Sequence, residues 1–250
     1  MAEIRKIAVL TSGGDSPGMN AATRATARSA IAKGIDVIGI MRGFEGLLDG
    51  DFRSLGPRDV GGIIHRGGTI LQTARSSRFM EPEWQDRAAG NLLEAGIQGL
   101  VVIGGDGSFR GAEELRKRGI SVAGIPGTID NDIAGTDLTI GFRTAVETAL
   151  DAVMRLRDTA SSHDRLFIVE VMGRRSGFLA LDVAVAGGAE AVIVPEVQFT
   201  LGKLIDRLHE ARRKGKTHSL IVLAEGVMPA QDLRDRIQDT AGYDARVTVL

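Results

Sequence analysis

The 250-residue chain contains no cysteine, only six prolines and few aromatic residues, namely eight Phe, one Tyr and one Trp. The lack of cysteine excludes disulfides and thiolate metal sites and favours a reducing compartment. A formal net charge of −1 excludes a broad polyanion-binding surface, so any anion site must be local. The first apolar run, IAVL, is too short for a signal peptide or a membrane span, and we therefore expect a cytoplasmic protein.

Short apolar runs alternate with amphipathic stretches along the chain. The predicted strands are residues 7–11, 35–41, 99–103, 122–125, 166–171, 191–194, 220–224 and 245–250. The predicted helices are residues 19–33, 83–95, 109–118, 139–159 and 201–214. Several strands are rich in Val and Ile without polar alternation, as in a parallel sheet covered on both faces. The pattern predicts a doubly wound α/β fold. Residues 135–138 are the predicted crossover between two lobes, and the SSHD run at 161–164 is predicted to be a helix-to-strand turn.

Glycine is abundant, with 33 residues, and occurs in short clusters rather than in a flexible linker. The clusters are predicted to follow the carboxyl ends of strands, at residues 12–18, 43–46, 104–108, 126–132, 173–177 and 225–226. Ligands bind at this edge of an open parallel sheet, because the loops diverge there and helix N-termini point inward. The clusters therefore predict a large site for a polar ligand.

Two of these clusters are candidate phosphate contacts. GGDSPGMN, beginning at Gly13, has the gap of a Walker loop without its Lys-Ser/Thr, so it is either an ordinary turn or a phosphate contact. In GGDGS, beginning at Gly104, Asp106 would repel a phosphate unless a divalent cation lay between them. This favours a Mg²⁺–nucleotide site and a kinase, with capping of a helix that starts at Ser108 as the alternative role of Asp106.

The stretch GTIDNDIAGTD, beginning at Gly127, places acids at the same edge of the predicted sheet. Transfer of a phosphoryl group to an alcohol requires a carboxylate that takes the hydroxyl proton. Asp130 and Asp132 could supply this base and an acceptor for a sugar hydroxyl, with the Thr128 hydroxyl beside them. An Asx-turn that only ties the loop together is the alternative.

Several arginines lie near predicted strand ends or glycine loops. They are Arg75, Arg165, Arg174 and Arg246. The planar guanidinium suits phosphate because it gives paired, charge-assisted hydrogen bonds. Arg174 is the strongest candidate, since solvated arginines do not need the flanking glycines of MGRRSG.

The chain resembles the bacterial ATP-dependent 6-phosphofructokinase family from Ile4 to Leu250. The motifs that carry the resemblance are, in order, LTSGGDSPGMNAA, VVIGGDGS, GIPGTIDND, EVMGRRSG and AGGAEAVIVPE. NAD kinases and lipid kinases share only the GGDGS-like turn. The resemblance implies two Rossmann-like lobes, with residues 1–138 binding ATP and Mg²⁺ and residues 139–250 binding fructose 6-phosphate.

The resemblance also implies phosphorylation of fructose 6-phosphate at its 1-hydroxyl, the committed step of glycolysis. Asp130 would be the general base, Arg75, Arg174 and Thr128 would act with it at the phosphoryl group, and Asp106 would hold Mg²⁺. The residues implied at the ATP phosphates are Gly14, Arg75, Gly105, Asp106, Gly107 and Ser108.

The sugar site is implied in the same way. The residues implied around the sugar are Thr128, Ile129, Asp130, Asp132, Met172, Gly173, Arg174 and Glu225. Arg165 and Arg246 would reach the sugar phosphate from a neighbouring subunit, which implies a homotetramer.

The phosphoryl donor is predicted from two glycines. Pyrophosphate-using relatives carry Asp in place of Gly107 and Lys in place of Gly127. A carboxylate at position 107 would crowd the α-phosphate of a nucleotide, so ATP is the predicted donor. The alternatives are a pyrophosphate-dependent phosphofructokinase and a nucleotide- or effector-binding module without catalysis.

The resemblance extends to a site for the effectors ADP or phosphoenolpyruvate. The matching positions are Arg24, Arg28, Arg157, Gly188, Glu190, Lys214 and Lys216. The set is incomplete, because an effector Arg and Asp of the family correspond here to Pro57 and Gly62. Gln72, where the family often has Gly, is a smaller departure.

The end of the chain also departs from the family. Family members continue beyond the strand that matches residues 246–250 into a GHIQRGG-type loop that completes the sugar-phosphate site. A terminal apolar strand with an exposed edge is an aggregation hazard. We therefore expect the chain to be a fragment that lacks a C-terminal segment.

Overall fold

The computed structural model describes residues 4–160, 165–216 and 218–250, which form two compact units. The first unit comprises Met1–Thr128 and Ile133–Gly141, and the second comprises Ile129–Asp132 and Phe142–Leu250. Residues 135–138, where the crossover between two lobes is predicted, are grouped with the first unit, and the chain passes between the units after Thr128, Asp132 and Gly141. The turn predicted at residues 161–164 lies outside the described residues.

The first unit is built on a six-stranded sheet with the order β3-β2-β1-β4-β5-β6. Its strands are β1 (Lys6–Thr11), β2 (Asp36–Ile40), β3 (Phe52–Ser54), β4 (Gly99–Gly104), β5 (Ser121–Thr128) and β6 (Ile140–Gly141). Its helices are α1 (Met19–Ile31), α2 (Gly43–Asp49), α3 (Pro82–Glu94) and α4 (Asp106–Lys117), with a 3-10 turn at Arg78–Met80. All pairs are parallel except β2 with β3.

The two faces of this sheet carry separate apolar clusters, because successive strand residues point to opposite faces. Ala8 and Leu10 pack in the cluster that contains residues of α2, α3 and α4. Val9 packs in the other cluster, with Met19 and Ala27 of α1. Because both faces of the sheet are covered, the sequences of its central strands are nearly continuous apolar runs.

The strand order places the switch point of the first sheet between β1 and β4. From β1 the chain builds outward through β2 and β3 on one side, and β4, β5 and β6 follow on the other. Loops that leave such neighbouring strands in opposite directions open a crevice at the carboxyl edge. The glycine clusters after β1 and β4 flank this crevice.

The second unit has a four-stranded parallel sheet with the order β10-β7-β9-β8. Its strands are β7 (Leu166–Val171), β8 (Ala191–Ile193), β9 (Ser219–Ala224) and β10 (Ala245–Val249). Its helices are α5 (Phe142–Ala160), α6 (Phe178–Gly187), α7 (Leu201–Arg213) and α8 (Ala230–Ala241). Residues of α5 and α6 pack in one cluster against the sheet and those of α7 and α8 in another.

The doubly wound α/β fold predicted from the sequence is confirmed. Each predicted strand is present within one residue at either end except β5, which continues through Pro126–Thr128, where a loop was predicted. Pro126 is tolerated because β6 pairs only with Gly127 and Thr128 on that side of β5. Within the described ranges, no helix combines the length and the apolar character that a bilayer crossing requires.

Candidate active site

The loops after β1 and β4 pack backbone to backbone. The Ser12 N–H donates to the Ile103 oxygen at 3.0 Å. A Cβ atom at Gly104 would lie 2.5 Å from both the Ser12 oxygen and the Ser108 Oγ. Only glycine fits at position 104, and the two loops are thereby held together at the switch point of the first sheet.

Gly14 and Gly107 are glycines that the fold itself does not require. A Cβ atom at either position would meet nothing within 4 Å, and neither residue has a positive φ. Both are exposed, next to the packed loops described above. Their missing side chains leave open space where a ligand phosphate could approach backbone N–H groups.

Asp106 is the first residue of α4. The helix therefore begins two residues before Ser108, the start assumed in the interpretation of Asp106 as a helix cap. The N-cap is Gly105, so the interpretation of Asp106 as a cap for a helix starting at Ser108 is wrong. The Asp106 carboxylate is exposed and forms an ion pair with Arg110 at 2.9 Å. Within the described residues, no group of three or more acidic or histidine side chains could hold a metal ion. Asp106 therefore fits Mg²⁺ only together with oxygen atoms of a ligand.

Thr128 and Arg75 complete the candidate residues of the first unit. Thr128 ends β5, and its main-chain oxygen accepts a hydrogen bond from the Thr139 Oγ1 at 2.7 Å. This bond ties β5 to the returning segment that ends in β6. Arg75 is exposed in the loop before the 3-10 turn.

Asp130 is the buried acid of the second unit, with 9% of the residue exposed. Its main-chain oxygen accepts a hydrogen bond from the Ser176 Oγ at 2.8 Å, and its Oδ2 lies 3.9 Å from the Arg174 Nε. Burial raises the pKa of the Asp130 carboxyl above its ordinary value, and the negative charge of Asp132 raises it further. Arg174 acts in the opposite direction, and Glu225 adds a smaller increase.

Arg174 lies in the loop after β7, with Met172 and Gly173 before it. Arg174 has a φ of 52°, and Gly173 has a φ of 134°. The Glu225 Oε1, from the loop after β9, accepts the N–H of Gly173 at 3.0 Å and that of Arg174 at 2.7 Å. The predicted sugar-binding residues Met172, Gly173, Arg174 and Glu225 are thus adjacent at the carboxyl edge of the second sheet.

Arg165 and Arg246 lie at the opposite edge of this sheet. Arg165 precedes β7 and Arg246 is the second residue of β10. Both are paired with Asp244, at 3.2 Å for the Arg165 Nε and 3.7 Å for the Arg246 Nη2. Because β7 has six residues, its two ends are separated by roughly 20 Å at about 3.3 Å per residue. The structure does not bring these two arginines to Arg174 within one chain.

The predicted effector residues of the second unit form a partial cluster. Lys216 pairs with the Glu190 Oε1 at 2.6 Å, and the Glu190 Oε2 accepts the Leu220 N–H at 2.6 Å. The Arg157 guanidinium donates to the Gly187 oxygen, next to Gly188. Lys214 is instead paired with Glu210 on α7.

The remaining effector candidates belong to the first unit. Arg24 of α1 donates to the Val60 oxygen at 2.5 Å, and Arg28 is exposed one turn later on the same helix. Pro57 and Gly62, the two departures from the effector pattern, lie in the loop that Arg24 contacts at Val60. Gln72 adopts a φ of 60°, a left-handed conformation that a glycine would adopt without strain.

Several residues of the second site were missed from the sequence. They are Ser176, which bonds to Asp130, Gly226, which contacts Arg174, Glu196, whose Oε1 accepts the Gly177 N–H at 2.8 Å, and Asp244. Gly226 and Ser176 had a signal, because each lies in a glycine cluster, and Glu196 is the last residue of the AGGAEAVIVPE motif. Asp244 had none, and its ion pair with Arg165 joins residues that are distant in the chain.

Both the sequence and the structure of the chain are similar to those of known proteins. The family model described as Phosphofructokinase matches residues 6–250. The ATP-dependent 6-phosphofructokinase of Natranaerobius thermophilus is 53% identical over 247 residues, which are 99% of this chain and 77% of that protein. The phosphofructokinase structure from Saccharomyces cerevisiae has a TM-score of 0.92 at 40% identity, over 98% of this chain and 38% of that one. A pyrophosphate-dependent phosphofructokinase structure from Marinobacter aquaeolei has a TM-score of 0.83 at 22% identity, over 98% of this chain and 68% of that one, and shares the fold.

Proposed function

The chain belongs to the phosphofructokinase family, and on that premise we propose that it transfers a phosphoryl group from ATP to the 1-hydroxyl of fructose 6-phosphate. The products are fructose 1,6-bisphosphate and ADP, and the reaction is the committed step of glycolysis. The observation that carries the proposal is the buried Asp130 carboxylate, with its raised pKa and the Arg174 guanidinium 3.9 Å away. This is the pairing of base and cation that phosphoryl transfer to an alcohol requires.

Asp130 acts as the general base. Its carboxylate takes the proton of the sugar hydroxyl as the hydroxyl oxygen attacks the phosphorus atom of the transferred group. A raised pKa increases the basicity of the carboxylate, so the proton transfer is more favourable than it would be to an exposed aspartate. Arg174 and Arg75 stabilise the negative charge on the phosphoryl oxygens in the transition state. Thr128 contacts the same phosphoryl group.

The ATP phosphates are bound by the loops after β1 and β4. Gly14, Gly105 and Gly107 offer backbone N–H groups without side chains in the way, and the Ser108 hydroxyl adds a further donor. The Asp106 carboxylate, which is paired with Arg110 here, would hold Mg²⁺ together with oxygen atoms of the nucleotide. The ion would supply positive charge that offsets the charge of the phosphate oxygens. The open space at Gly107 supports ATP as the donor, because it accommodates the part of the nucleotide that pyrophosphate lacks.

Fructose 6-phosphate is bound by the second unit with Thr128. The residues that contact the sugar are Thr128, Ile129, Asp130, Asp132, Met172, Gly173, Arg174 and Glu225. Arg165 and Arg246 bind the 6-phosphate from a second copy of the chain, within a homotetramer. Their separation from Arg174 by the length of β7 supports this assignment, because one chain cannot place them on the same sugar.

The remaining assignments follow from the family. ADP or phosphoenolpyruvate binds as an effector at the positions with Arg24, Arg28, Arg157, Gly188, Glu190, Lys214 and Lys216. The Lys216–Glu190 pair and the Arg157–Gly187 bond support a preformed part of that site in the second unit. We expect the enzyme to act in the cytoplasm.

The test is ADP release by the chain with MgATP, measured with and without fructose 6-phosphate. We expect release that depends on the sugar and falls by roughly 10²- to 10⁴-fold in Asp130→Ala, the range for removing a general base. Replacing MgATP by Mg-pyrophosphate and following fructose 1,6-bisphosphate separates the two donors. The same assay is run on a chimaera in which this chain is joined to the part of the Natranaerobius thermophilus protein that lies outside the 247 matched residues. Sugar-independent release, or full turnover in Asp130→Ala, would contradict the proposal.

A further inference from the structure

The start of the loop after β9 is fastened to the loop after β7 by two neighbouring residues. The Glu225 Oε1 accepts the N–H groups of both Gly173 and Arg174. At Gly226, a Cβ atom would lie 1.9 Å from the Arg174 main-chain oxygen, closer than any real contact. Gly226 does not have a positive φ, so the approach of the Arg174 carbonyl is what requires glycine there.

These contacts hold the backbone of Arg174 in place at both its N–H group and its carbonyl group. Its N–H is bonded to Glu225, and its carbonyl lies against the Cα atom of Gly226. Arg174 adopts the left-handed conformation, which is unfavourable for a residue with a long side chain and persists only where the surroundings enforce it. The side chain that leaves this backbone brings its Nε to 3.9 Å from the Asp130 Oδ2.

We propose that Glu225 and Gly226 are positioning residues, which hold the Arg174 backbone in its left-handed conformation and thereby aim its guanidinium at the Asp130 carboxylate. Glu225 thus has a role besides contact with the sugar: one carboxylate oxygen fastens the loop, and Oε2 is left for a substrate hydroxyl. The catalytic consequence rests on the proposed function, whereas the positioning itself does not.

The positioning is tested first without any activity assay. The pKa of Asp130 is measured by ¹³C NMR on protein with carboxyl-labelled aspartate, with the Asp130 signal assigned by its loss in Asp130→Asn. In Gly226→Ala the new methyl group displaces the Arg174 carbonyl, the guanidinium moves away, and the pKa of Asp130 rises. The matched control is Gly202→Ala, because a Cβ atom at Gly202 meets nothing within 4 Å. An unchanged Asp130 pKa in Gly226→Ala would overturn the proposal.

A double-mutant cycle then shows whether Gly226 acts through Arg174. Arg174→Ala alone raises the pKa of Asp130, because it removes the neighbouring positive charge. In the Arg174→Ala background, Gly226→Ala should cause no further rise, since the group that it displaces is already absent. Equal effects of Gly226→Ala in both backgrounds would mean that Gly226 does not position the guanidinium.

Glu225 offers a second test that does not depend on how well Gly226→Ala folds. Glu225→Gln retains an oxygen for the two N–H groups and removes a negative charge that raises the pKa of Asp130, so this pKa should fall. Glu225→Ala removes the acceptor, releases Arg174 and should raise the pKa of Asp130 relative to Glu225→Gln. An Asp130 pKa that is the same in the two variants would overturn the proposal.

Turnover supplies the last readout. We expect Gly226→Ala to lower kcat by roughly 10- to 100-fold, the loss typical of a reacting group displaced by about 1 Å, and to leave the KM for ATP unchanged. Absence of sugar-dependent turnover in the wild-type chain would count against the proposed function alone. The NMR titrations would still decide the positioning.

Discussion

The hydroxyl of Ser176 donates a hydrogen bond to the main-chain oxygen of Asp130, across 46 positions of the sequence and at 2.8 Å. Both residues are buried, and the segment Ile129–Asp132 is counted with the second unit although the chain on either side of it belongs to the first. Ser176 therefore fixes the backbone of the candidate base relative to the Arg174 loop. The same hydroxyl accepts the Phe178 N–H at 3.4 Å, so it is itself held at the start of α6.

Ser176→Ala should lower kcat by roughly tenfold with little change in the KM for ATP, because Asp130 loses its anchor but the nucleotide loops are untouched. The stability loss should be about 0.5–1.5 kcal/mol, the usual net value of one hydrogen bond. Steady-state kinetics and thermal unfolding measure the two effects separately. Ser176→Thr keeps the hydroxyl and should recover most of the turnover. Equal kcat values for Ser176→Ala and the wild type would show that the bond does not position the base.

Asp130→Asn should stabilise the fold increasingly as the pH rises. The pKa of Asp130 is raised above its ordinary value of 3.8, so the folded state binds the proton more tightly than the unfolded state. The contribution of Asp130 to stability is therefore complete below pH 3.8 and is lost as the pH rises through the higher folded pKa. Asparagine does not ionise, and the variant keeps that contribution at every pH.

Thermal unfolding midpoints measured from about pH 4 to pH 8 test this prediction. The difference between Asp130→Asn and the wild type should be smallest at the acid end and widest at the neutral end. Asp206→Asn, at an exposed position of α7, controls for the loss of one formal charge. A difference that shrinks towards neutral pH would mean that the carboxylate is stabilised in the fold rather than destabilised.

Strands β1, β4, β7 and β9 were predictable from the sequence because they are buried along most of their length and therefore appear as short Val/Ile-rich runs of strand length. Most helices with one polar face were predictable, as in α4 and α7, but α8 was not predicted although it buries only Ala230, Leu233 and Ile237. Helix α6 (FLALDVAVAG) lacks that contrast, since its residues are apolar on nearly all sides. Helix α2 (GFEGLLD) was mistaken for a loop because its glycines suggest a turn. In both cases tertiary packing, rather than local pattern, decides the structure.

The site was predictable to a different extent. Loops at the carboxyl ends of parallel strands lie at one edge of their sheet whatever their spacing in the chain. The glycine clusters therefore marked the edge of the first sheet that carries Gly14 and Asp106, and the edge of the second sheet that carries Arg174. Individual contacts are not set by that rule. The bond from Arg174 to Glu225 joins residues 51 positions apart, and it depends on the register of β7 with β9. The local sequence pattern does not predict the register of two strands that are distant in the chain.

Gly107→Asp should weaken ATP binding by at least roughly tenfold, about 1.4 kcal/mol, without unfolding the protein. A side chain at Gly107 meets nothing in the chain itself, so the fold tolerates it, whereas a carboxylate there repels a nucleotide phosphate. Calorimetric titration with MgATP measures the loss, and Gly107→Asn separates charge from size. If the Asn and Asp variants bind ATP equally, repulsion is not the cause. If neither differs from the wild type, Gly107 is not at the nucleotide.

Arg165 and Asp130 should complement each other between copies of the chain. Arg165→Ala and Asp130→Asn should each be nearly inactive when expressed alone, because every site lacks one of the two groups. In co-expressed mixtures, a site that takes Asp130 from one copy and Arg165 from the other is intact. About one quarter of wild-type turnover should return, since each site draws the two groups at random from equal pools.

Asp130→Asn with Arg174→Ala is the matched control for this experiment. Asp130 and Arg174 face each other at 3.9 Å within one unit of one chain, so no exchange of copies can restore both to the same site. This mixture should show no recovery, although the two single variants are as inactive as the first pair. Recovery in both mixtures would mean that the activity arises from something other than shared sites. Recovery in neither would place Arg165 with its own chain, which the length of β7 argues against.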